Sequence, residues 1–178
     1  KWEKGMGIYF WDSVKPSINN TPIIAEDLGG ETREVHSLIE ETGFPNMKVL
    51  QFAFDSDLKD PFLPKNFNRN CICYTGTHDN DTIKGWLSQL TPSDLKKAED
   101  YLGLNEHEGY VWGTIRGGMS SVARLFVAQM QDYLELSNEA RINIPGTQEG
   151  NWRWTMLPDQ IPYGLSDQIA YLTKLYNR

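Results

Sequence analysis

Residues 70–82 of the chain have the sequence NCICYTGTHDNDT, and this stretch decides the fold that the sequence predicts. It opens with a short run of apolar and β-favouring residues, Cys71 to Thr75, and changes abruptly at Gly76 into hydrogen-bonding residues. We interpret the change as a buried strand that ends in a polar tip. Because ligands bind at the carboxyl ends of the strands in parallel α/β proteins, this tip is a candidate site. Its candidate residues are His78, Asp79 and Asn80.

A structural alternative accounts for part of the tip. Asp81 or Thr82 would be a suitable N-cap for a helix that starts at Ile83. Capping explains one or two polar residues, but it does not require a histidine and two aspartates within four positions. We therefore favour the interpretation as a site.

A second strand-like run also ends in acidic residues. Pro22 to Ala25 is short and apolar, and Glu26 and Asp27 follow it directly. A carboxylate at the end of a buried strand lies in a low dielectric, which favours the raised pKa of a general acid. The alternative is that one of the two acids caps a helix that begins near residues 31–32. The two interpretations are equally supported for Asp27, whereas Glu26 is favoured as a functional carboxylate.

Helical and strand patterns alternate along the rest of the chain. A helix over 31–42 ends at Gly43, a suitable C-cap, and a strand over 47–54 follows it. A strand, a helix and a strand in this order form a right-handed parallel unit by default, so the pattern predicts an α/β protein. It also predicts helices over 8–14, 82–90, 92–102, 110–119 and 166–177, a helix that passes from residue 120 into a strand over 125–130, and an irregular loop over 140–154.

The composition excludes two classes of partner. The 178 residues carry a net charge of −7 at pH 7, and the sequence contains no basic patch. A nucleic-acid backbone or an anionic membrane requires such a patch, so we expect neither as a partner. There is no apolar run of about 18 residues to span a bilayer. A single domain, residues 1–178, is the default for this length.

The cysteines and histidines indicate structural rather than metal-binding roles. Cys71 and Cys73 share one face of a strand, where a mutual disulfide is geometrically awkward. We expect buried thiols in a reducing compartment such as the cytoplasm. The three histidines, His36, His78 and His107, lack the spacing of a zinc site, and we expect neither a metal nor another cofactor.

Four motifs follow one another along essentially the whole chain: residues 23–29 (IIAEDLG), 47–54 (MKVLQFAF), 74–82 (YTGTHDNDT) and 150–154 (GNWRW). In this order and spacing they resemble the 4-α-glucanotransferases of glycoside hydrolase family 77, also called amylomaltases or disproportionating enzymes. Four motifs in order are far more specific than any one of them. A glutamate at a strand end and a His-Asp pair are shared with the wider α-amylase clan.

The resemblance implies the C-terminal portion of a (β/α)8 TIM barrel that breaks and remakes α-1,4-glucosidic bonds with retention. The partners implied are maltooligosaccharides and other α-1,4-glucans. Glu26 looks like the general acid/base, and Asp79 looks like the carboxylate that supports the distorted sugar ring. His78 is similar to the family's hydrogen-bond donor to the transition state. Further substrate contacts implied by the resemblance are Asn80, Phe52, Asn151 and Trp152.

One carboxylate of the family pattern is not found. A retaining glycosidase needs a nucleophilic carboxylate about 5 Å from the acid/base. The family's nucleophile is an aspartate in a strand upstream of the acid/base, and Asp12, in a helix-like stretch, does not fit it. We therefore expect a fragment of about four barrel strands that requires the N-terminal remainder of the barrel for activity. Such a fragment would have two open sheet edges.

Two alternatives remain open from the sequence. The chain would be a non-catalytic α-glucan-binding fragment if Phe52, Trp152 and Trp154 only stacked on glucose rings. It would belong to a hydrolase of the α-amylase clan if water rather than a sugar hydroxyl were the acceptor. The resemblance favours the sugar acceptor.

Overall fold

The computed structural model of the protein describes residues 3–19, 21–29, 33–55 and 59–178. A three-stranded parallel sheet lies at its centre, in the order β1-β2-β3. The strands are β1 Asn46–Val49, β2 Cys71–Tyr74 and β3 Leu125–Val127. The predicted α/β class with a parallel sheet is confirmed.

Seven α-helices flank the strands in the described part of the chain. Apart from the helix predicted from residue 120, the helices predicted from the sequence are present with small shifts at their ends, and the predicted start of α2 at residues 31–32 lies outside the described residues. None of these helices is long and apolar enough to cross a membrane. They are α1 Ile8–Val14, α2 Arg33–Thr42, α3 Ile83–Gln89, α4 Pro92–Leu102, α5 Tyr110–Met119, α6 Met130–Tyr133 and α7 Leu165–Leu175.

The segment that carries Glu26 is shorter as a strand than the sequence predicts. It joins the sheet through a single parallel bridge between Ala25 and Asn46, next to β1. The backbone N–H of Ala25 donates to the carbonyl of Pro45 at 2.9 Å. Ile24 is 44% exposed at this edge of the sheet. The prediction of a buried strand over 22–25 is therefore wrong in its extent and its burial.

The strand predicted over 47–54 is also too long. β1 ends at Val49, and a single 3-10 turn, Leu50–Phe52, redirects the chain. Leu50 is completely buried in a small apolar cluster beneath the sheet, and Ala53 and Phe54 are buried in the main core among the helices. Burial of these side chains in two separate clusters overrides the local preference for an extended strand.

The helix predicted from residue 120 is not formed. α5 ends at Met119, and the next regular element is β3. The guanidinium of Arg178 donates to the carbonyl of Met119 at 2.8 Å and also to the carbonyls of Ser121 and Ala123. Since a distant side chain satisfies these carbonyls, the segment between α5 and β3 does not need helical hydrogen bonds.

Burial decreases across the sheet, because β1 and β2 are buried on both faces whereas β3 is partly exposed. Cys71 and Cys73 are free thiols, buried with Phe126 on the face that packs against the helices. Burial raises the pKa of Cys71 to about 11 and that of Cys73 to about 12, so both thiols are protonated near neutral pH. At the β3 edge, Leu125 is 48% and Val127 is 37% exposed. This edge is open in the described part of the chain, in agreement with the expectation for part of a barrel.

The main core fixes the sheet relative to the helices. It joins Ile83 of α3, Trp112 of α5 and Leu172 of α7. Gly118 allows α5 to approach the sheet closely, because a Cβ atom there would lie 2.3 Å from Cε2 of Phe126. This packing holds the three strands, and therefore the loops at their carboxyl ends, in a fixed relation.

Candidate active site

A cavity of about 560 Å³ lies at the carboxyl ends of the strands. Its volume falls within the range of small-ligand pockets, roughly 300–1,000 Å³. Five of the seven site residues predicted from the sequence line it, namely Glu26, Phe52, His78, Asp79 and Asn80. The predictions made from separate strand ends therefore meet in one place.

The buried carboxylate of Asp132 holds the base of the polar tip. It accepts a hydrogen bond from the hydroxyl of Thr75 at 2.6 Å and another from the backbone N–H of Ile83 at 2.7 Å. These two partners lie at the two ends of the segment 76–82, which carries the tip. Burial raises the pKa of Asp132, and both hydrogen bonds oppose the rise. No local sequence pattern predicts that Asp132 holds this segment, because its contacts join distant parts of the chain.

Local hydrogen bonds shape the tip itself. Thr82 is the N-cap of α3, since its side chain accepts from the N–H of Gly85 at 3.1 Å. The Oδ1 atom of Asn80 accepts from both the N–H and the hydroxyl of Thr77, each at 2.8 Å. The capping alternative is therefore correct for Thr82, but it does not account for Asp79, which lines the cavity.

Asp27 has a structural role. Its Oδ2 atom accepts from the side-chain amide of Asn46 at 2.9 Å, and its Oδ1 atom accepts from the N–H of Met47 at 3.1 Å. Both oxygens thus hold the segment that carries Ala25, Glu26 and Asp27 against β1. The alternative in which Asp27 caps a helix that begins near residues 31–32 concerns a helix start outside the described residues.

Asp81 also makes structural contacts with both of its oxygens. Its Oδ1 atom accepts from the guanidinium of Arg141, and its Oδ2 atom accepts from the side-chain amide of Gln89 at 2.7 Å. The side chains of Asp81 and Arg141 are 18% and 20% exposed. Both oxygens of Asp81 are thus bound to other parts of the chain, and the side chain does not line the cavity.

Asp79 differs from these two acids. Its Oδ1 atom accepts from the side-chain amide of Asn143 at 2.5 Å and lies 3.3 Å from Nε2 of His78. Its Oδ2 atom has no hydrogen-bond partner among the described residues. Asp79 is about half exposed and lines the cavity. One oxygen is therefore fixed and the other is available to a ligand.

Glu26 also retains an available carboxylate. Neither of its oxygens accepts a hydrogen bond from the residues that the structure describes, and the side chain is exposed at the edge of the cavity. Glu26 therefore lies in contact with solvent and not in the low dielectric that the sequence predicts. The negative charge of Glu26 also acts on Tyr74 at the end of β2. The pKa of Tyr74 is raised mainly by burial and to a smaller extent by the charge of Glu26.

Trp152 contacts the site without lining the cavity. Its ring lies 5.1 Å from the imidazole of His78, measured between centroids, with the two planes inclined at 38°. The backbone N–H of Trp152 donates to the carbonyl of Ile142 at 2.7 Å. The backbone φ of Trp152 is +59°, a left-handed conformation that costs energy for a bulky side chain. Trp152 is 65% exposed and lies beside His78.

Asn151 is used within its own loop. Its Oδ1 atom accepts from the N–H of Ile144 at 2.9 Å, and its side-chain amide donates to the hydroxyl of Thr147 at 3.0 Å. The structure does not bring Asn151 to the cavity. Its contacts close the loop that presents Trp152.

Two residues next to the tip were not selected from the sequence. Asn143 contacts the carboxylate of Asp79, and Arg141 donates to the backbone carbonyl of Asp79 at 2.6 Å. Both lie in the stretch predicted as an irregular loop, more than sixty residues after the tip. Their polar character was visible in the sequence, but no local pattern indicates which distant group they bind.

The fold and the cavity define a parallel α/β protein that carries available carboxylates at the carboxyl ends of its strands, where α/β enzymes bind their ligands. The family comparison gives the particular group. The chain belongs to the 4-alpha-glucanotransferase family, glycoside hydrolase family 77, whose model matches residues 1–159.

Individual relatives agree with the family match. A 4-alpha-glucanotransferase of Clostridium butyricum is 46% identical over 179 residues, which cover 100% of this chain and 37% of that protein. A 4-alpha-glucanotransferase of Synechocystis is 46% identical over 180 residues, which cover 100% of this chain and 36% of that protein. The chain therefore spans a little over a third of the length of these curated relatives.

A solved structure supports the fold. The amylomaltase from Streptococcus agalactiae in complex with acarbose matches with a TM-score of 0.95 and 32% identity. The match covers 100% of this chain and 36% of that one.

Proposed function

We propose that the protein transfers α-1,4-glucan segments between maltooligosaccharides with retention, and that this chain forms the C-terminal portion of its (β/α)8 barrel. Family membership and the similarity to an amylomaltase that binds acarbose support this proposal. The observation that carries it is the sorting of the strand-end acids. Glu26 and Asp79 line one cavity and retain available oxygens, whereas Asp27 and Asp81 do not line it and have both oxygens hydrogen-bonded to other parts of the chain.

Glu26 acts as the general acid/base in this proposal. It protonates the departing glycosidic oxygen and later removes a proton from the hydroxyl of the incoming sugar. Its exposed carboxylate, with no hydrogen bond from the described residues, is free to exchange a proton with a bound sugar.

Asp79 supports the sugar ring on which positive charge develops. The Oδ2 atom accepts hydrogen bonds from sugar hydroxyls, while Oδ1 stays bound to Asn143. His78 adds a donor beside the same ring. The Oδ1 atom of Asn80 is bound by Thr77, and its side-chain amide has no acceptor among the described residues. These groups become most useful in the transition state, in which the ring carries charge.

Two aromatic residues provide surfaces for sugar rings. Phe52 lines the cavity and packs edge-to-face on Phe62, with 5.2 Å between ring centroids, so its ring is held in one orientation. Trp152 offers an exposed ring at the rim beside His78. Asn151 contributes by closing the loop that holds Trp152 rather than by contacting glucan.

The nucleophile is supplied by another part of the full-length protein in this proposal. A retaining reaction needs a further carboxylate about 5 Å from the acid/base. Among the described residues, Glu26 and Asp79 are the acids that line the cavity. Asp12 lies in α1 and does not line it.

Incubation of the full-length protein with maltotriose tests the proposal. Chromatography should reveal both longer and shorter maltooligosaccharides, and Glu26→Gln should reduce their formation by roughly 10²–10⁴-fold. Glu41→Gln, an exposed carboxylate of α2 outside the cavity, is the matched control and should keep full activity. The 178-residue chain alone should form no products.

Three results would contradict the proposal. Shorter products without longer ones would indicate a hydrolase. Acarbose binding without any transfer, equal in the wild type and in Glu26→Gln, would indicate a binding module. Transfer by the 178-residue chain alone would refute the assignment of the nucleophile to another part of the protein.

A further inference from the structure

Arg141 makes three contacts that meet at the polar tip. Its Nη2 atom donates to the backbone carbonyl of Asp79 at 2.6 Å, and its Nη1 atom donates to the carboxylate of Asp81. Its Nε atom donates to the carbonyl of Asn143 at 2.9 Å. The guanidinium is a rigid planar fork, so it fixes these three acceptors relative to one another.

The contact with Asn143 extends this effect to a side chain of the site. The N–H of Asn143 donates to the carbonyl of His78 at 3.1 Å, and its side-chain amide donates to Oδ1 of Asp79 at 2.5 Å. The segment 141–143 is thereby attached to both tip residues. Its position decides which oxygen of Asp79 is bound and which is left for a ligand.

We propose that Arg141 is a positioning residue for glucan transfer: it fixes the backbone of Asp79 and, through Asn143, orients the Asp79 carboxylate so that Oδ2 is left for the substrate. This inference rests on the proposed function. Arg141 does not line the cavity, so it acts through Asp79 and not by touching glucan.

A purely structural role is the competing explanation, and the chain contains a matched control for it. Arg116 is paired with Glu108 at 2.7 Å and donates to the backbone carbonyl of Leu102 at 2.8 Å. Its side chain is 26% exposed, compared with 20% for Arg141. Arg116 therefore makes the same kinds of contact with similar burial, but away from the cavity.

The test compares Arg141→Met with Arg116→Met in the full-length protein. Both variants should lower the melting temperature, since each loses an ion pair and a bond to a carbonyl. Only Arg141→Met should reduce kcat for maltotriose, by roughly 100-fold, the cost of a misplacement of about 1 Å, with little change in KM. Hydrogen exchange at the backbone amide of Asn143 should accelerate in Arg141→Met and not in Arg116→Met.

Arg141→Lys keeps the test decisive if Arg141→Met fails to fold. Lysine retains the positive charge beside Asp81 but cannot bind all three acceptors at once. We expect near-normal thermal stability with a kcat still well below that of the wild type. A kcat equal to that of the wild type would overturn the inference, because the charge alone would then be sufficient.

The remaining outcomes separate this inference from the proposed function. If the wild type transfers glucan and Arg141→Met retains as much kcat as Arg116→Met, the role of Arg141 is structural and the inference fails. If the wild type transfers no glucan, the proposed function fails, and the positioning of Asp79 for transfer fails with it. Hydrogen exchange at the Asn143 amide still decides in that case whether Arg141 anchors the tip.

Discussion

Replacement of Asp132 tests how the polar tip is held in place. This residue is completely buried, and its carboxylate connects the hydroxyl of Thr75 at the end of β2 to the N–H of Ile83 at the start of α3. Asp132→Ala leaves both donors buried without an acceptor. Asp132→Asn keeps an oxygen for the N–H of Ile83 and provides an amide that can donate to the hydroxyl of Thr75.

The two variants differ in their expected cost. A buried donor without a partner costs about 1–3 kcal/mol, so the two donors left unpaired by Asp132→Ala lower the free energy of unfolding by about 2–6 kcal/mol. Asp132→Asn retains both contacts without a charge and should cost about 1 kcal/mol. Asp132→Asn also keeps the volume of the side chain, so the difference between the variants contains the lost hydrogen bonds together with the cavity left by alanine.

The pH dependence provides a second measurement. Burial raises the pKa of Asp132 in the folded protein, so the folded state retains a proton that the unfolded state loses near pH 3.9. The free energy of unfolding contributed by this group therefore falls as the pH rises from that value through the folded pKa, and it is constant above it. Asp132→Asn should lack this decline.

Urea denaturation followed by tryptophan fluorescence, repeated from about pH 4 to pH 8, gives both quantities. Equal stability of Asp132→Ala and Asp132→Asn would refute the argument from unsatisfied donors. A stability profile of Asp132→Asn that falls with pH as steeply as that of the wild type would show that other groups cause the decline.

Two further predictions concern the packing of the sheet. Gly118→Ala should lower the free energy of unfolding, measured by urea titration, by about 1–3 kcal/mol, because the new Cβ atom would overlap Phe126. Gly5→Ala is the control and should be neutral, since no atom lies within 4 Å of a Cβ atom at that position. Equal effects of the two variants would contradict the packing argument. Burial raises the pKa of Cys71 to about 11 and that of Cys73 to about 12, so neither thiol should react with Ellman's reagent in the native protein at neutral pH. Both thiols should react after unfolding. A thiol that reacts rapidly in the native state would contradict their burial.

The parts of the fold that depend on adjacent residues could be predicted from the sequence. Gly43 ends α2 with a φ of +68°, and its N–H donates to the carbonyl of Ile39 at 3.1 Å, as expected for a glycine at a helix end. The change from apolar to polar residues at Gly76 marked the end of β2 and the start of the tip. Both signals lie within a few residues of the feature that they specify.

The ends of the strands could not be predicted in the same way. Met47 to Phe54 is a uniform run of residues that suit a strand, but β1 ends at Val49. The chain turns there because Leu50 and Phe54 are buried in two different clusters, one beneath the sheet and one among the helices. The positions of those clusters depend on helices that follow later in the chain, so the local pattern carries no information about them.

The same distinction applies to the acids of the site. The sequence places Glu26, Asp27, Asp79 and Asp81 at strand ends and leaves the role of Asp27 open, because the local pattern does not show which of these acids face the cavity. The separation comes from partners elsewhere in the chain: Asn46 and Met47 occupy Asp27, and Arg141 and Gln89 occupy Asp81. These hydrogen bonds hold Asp27 and Asp81 outside the cavity lining, whereas Asp79 lines the cavity, so contacts between distant parts of the chain decide which strand-end acids face it.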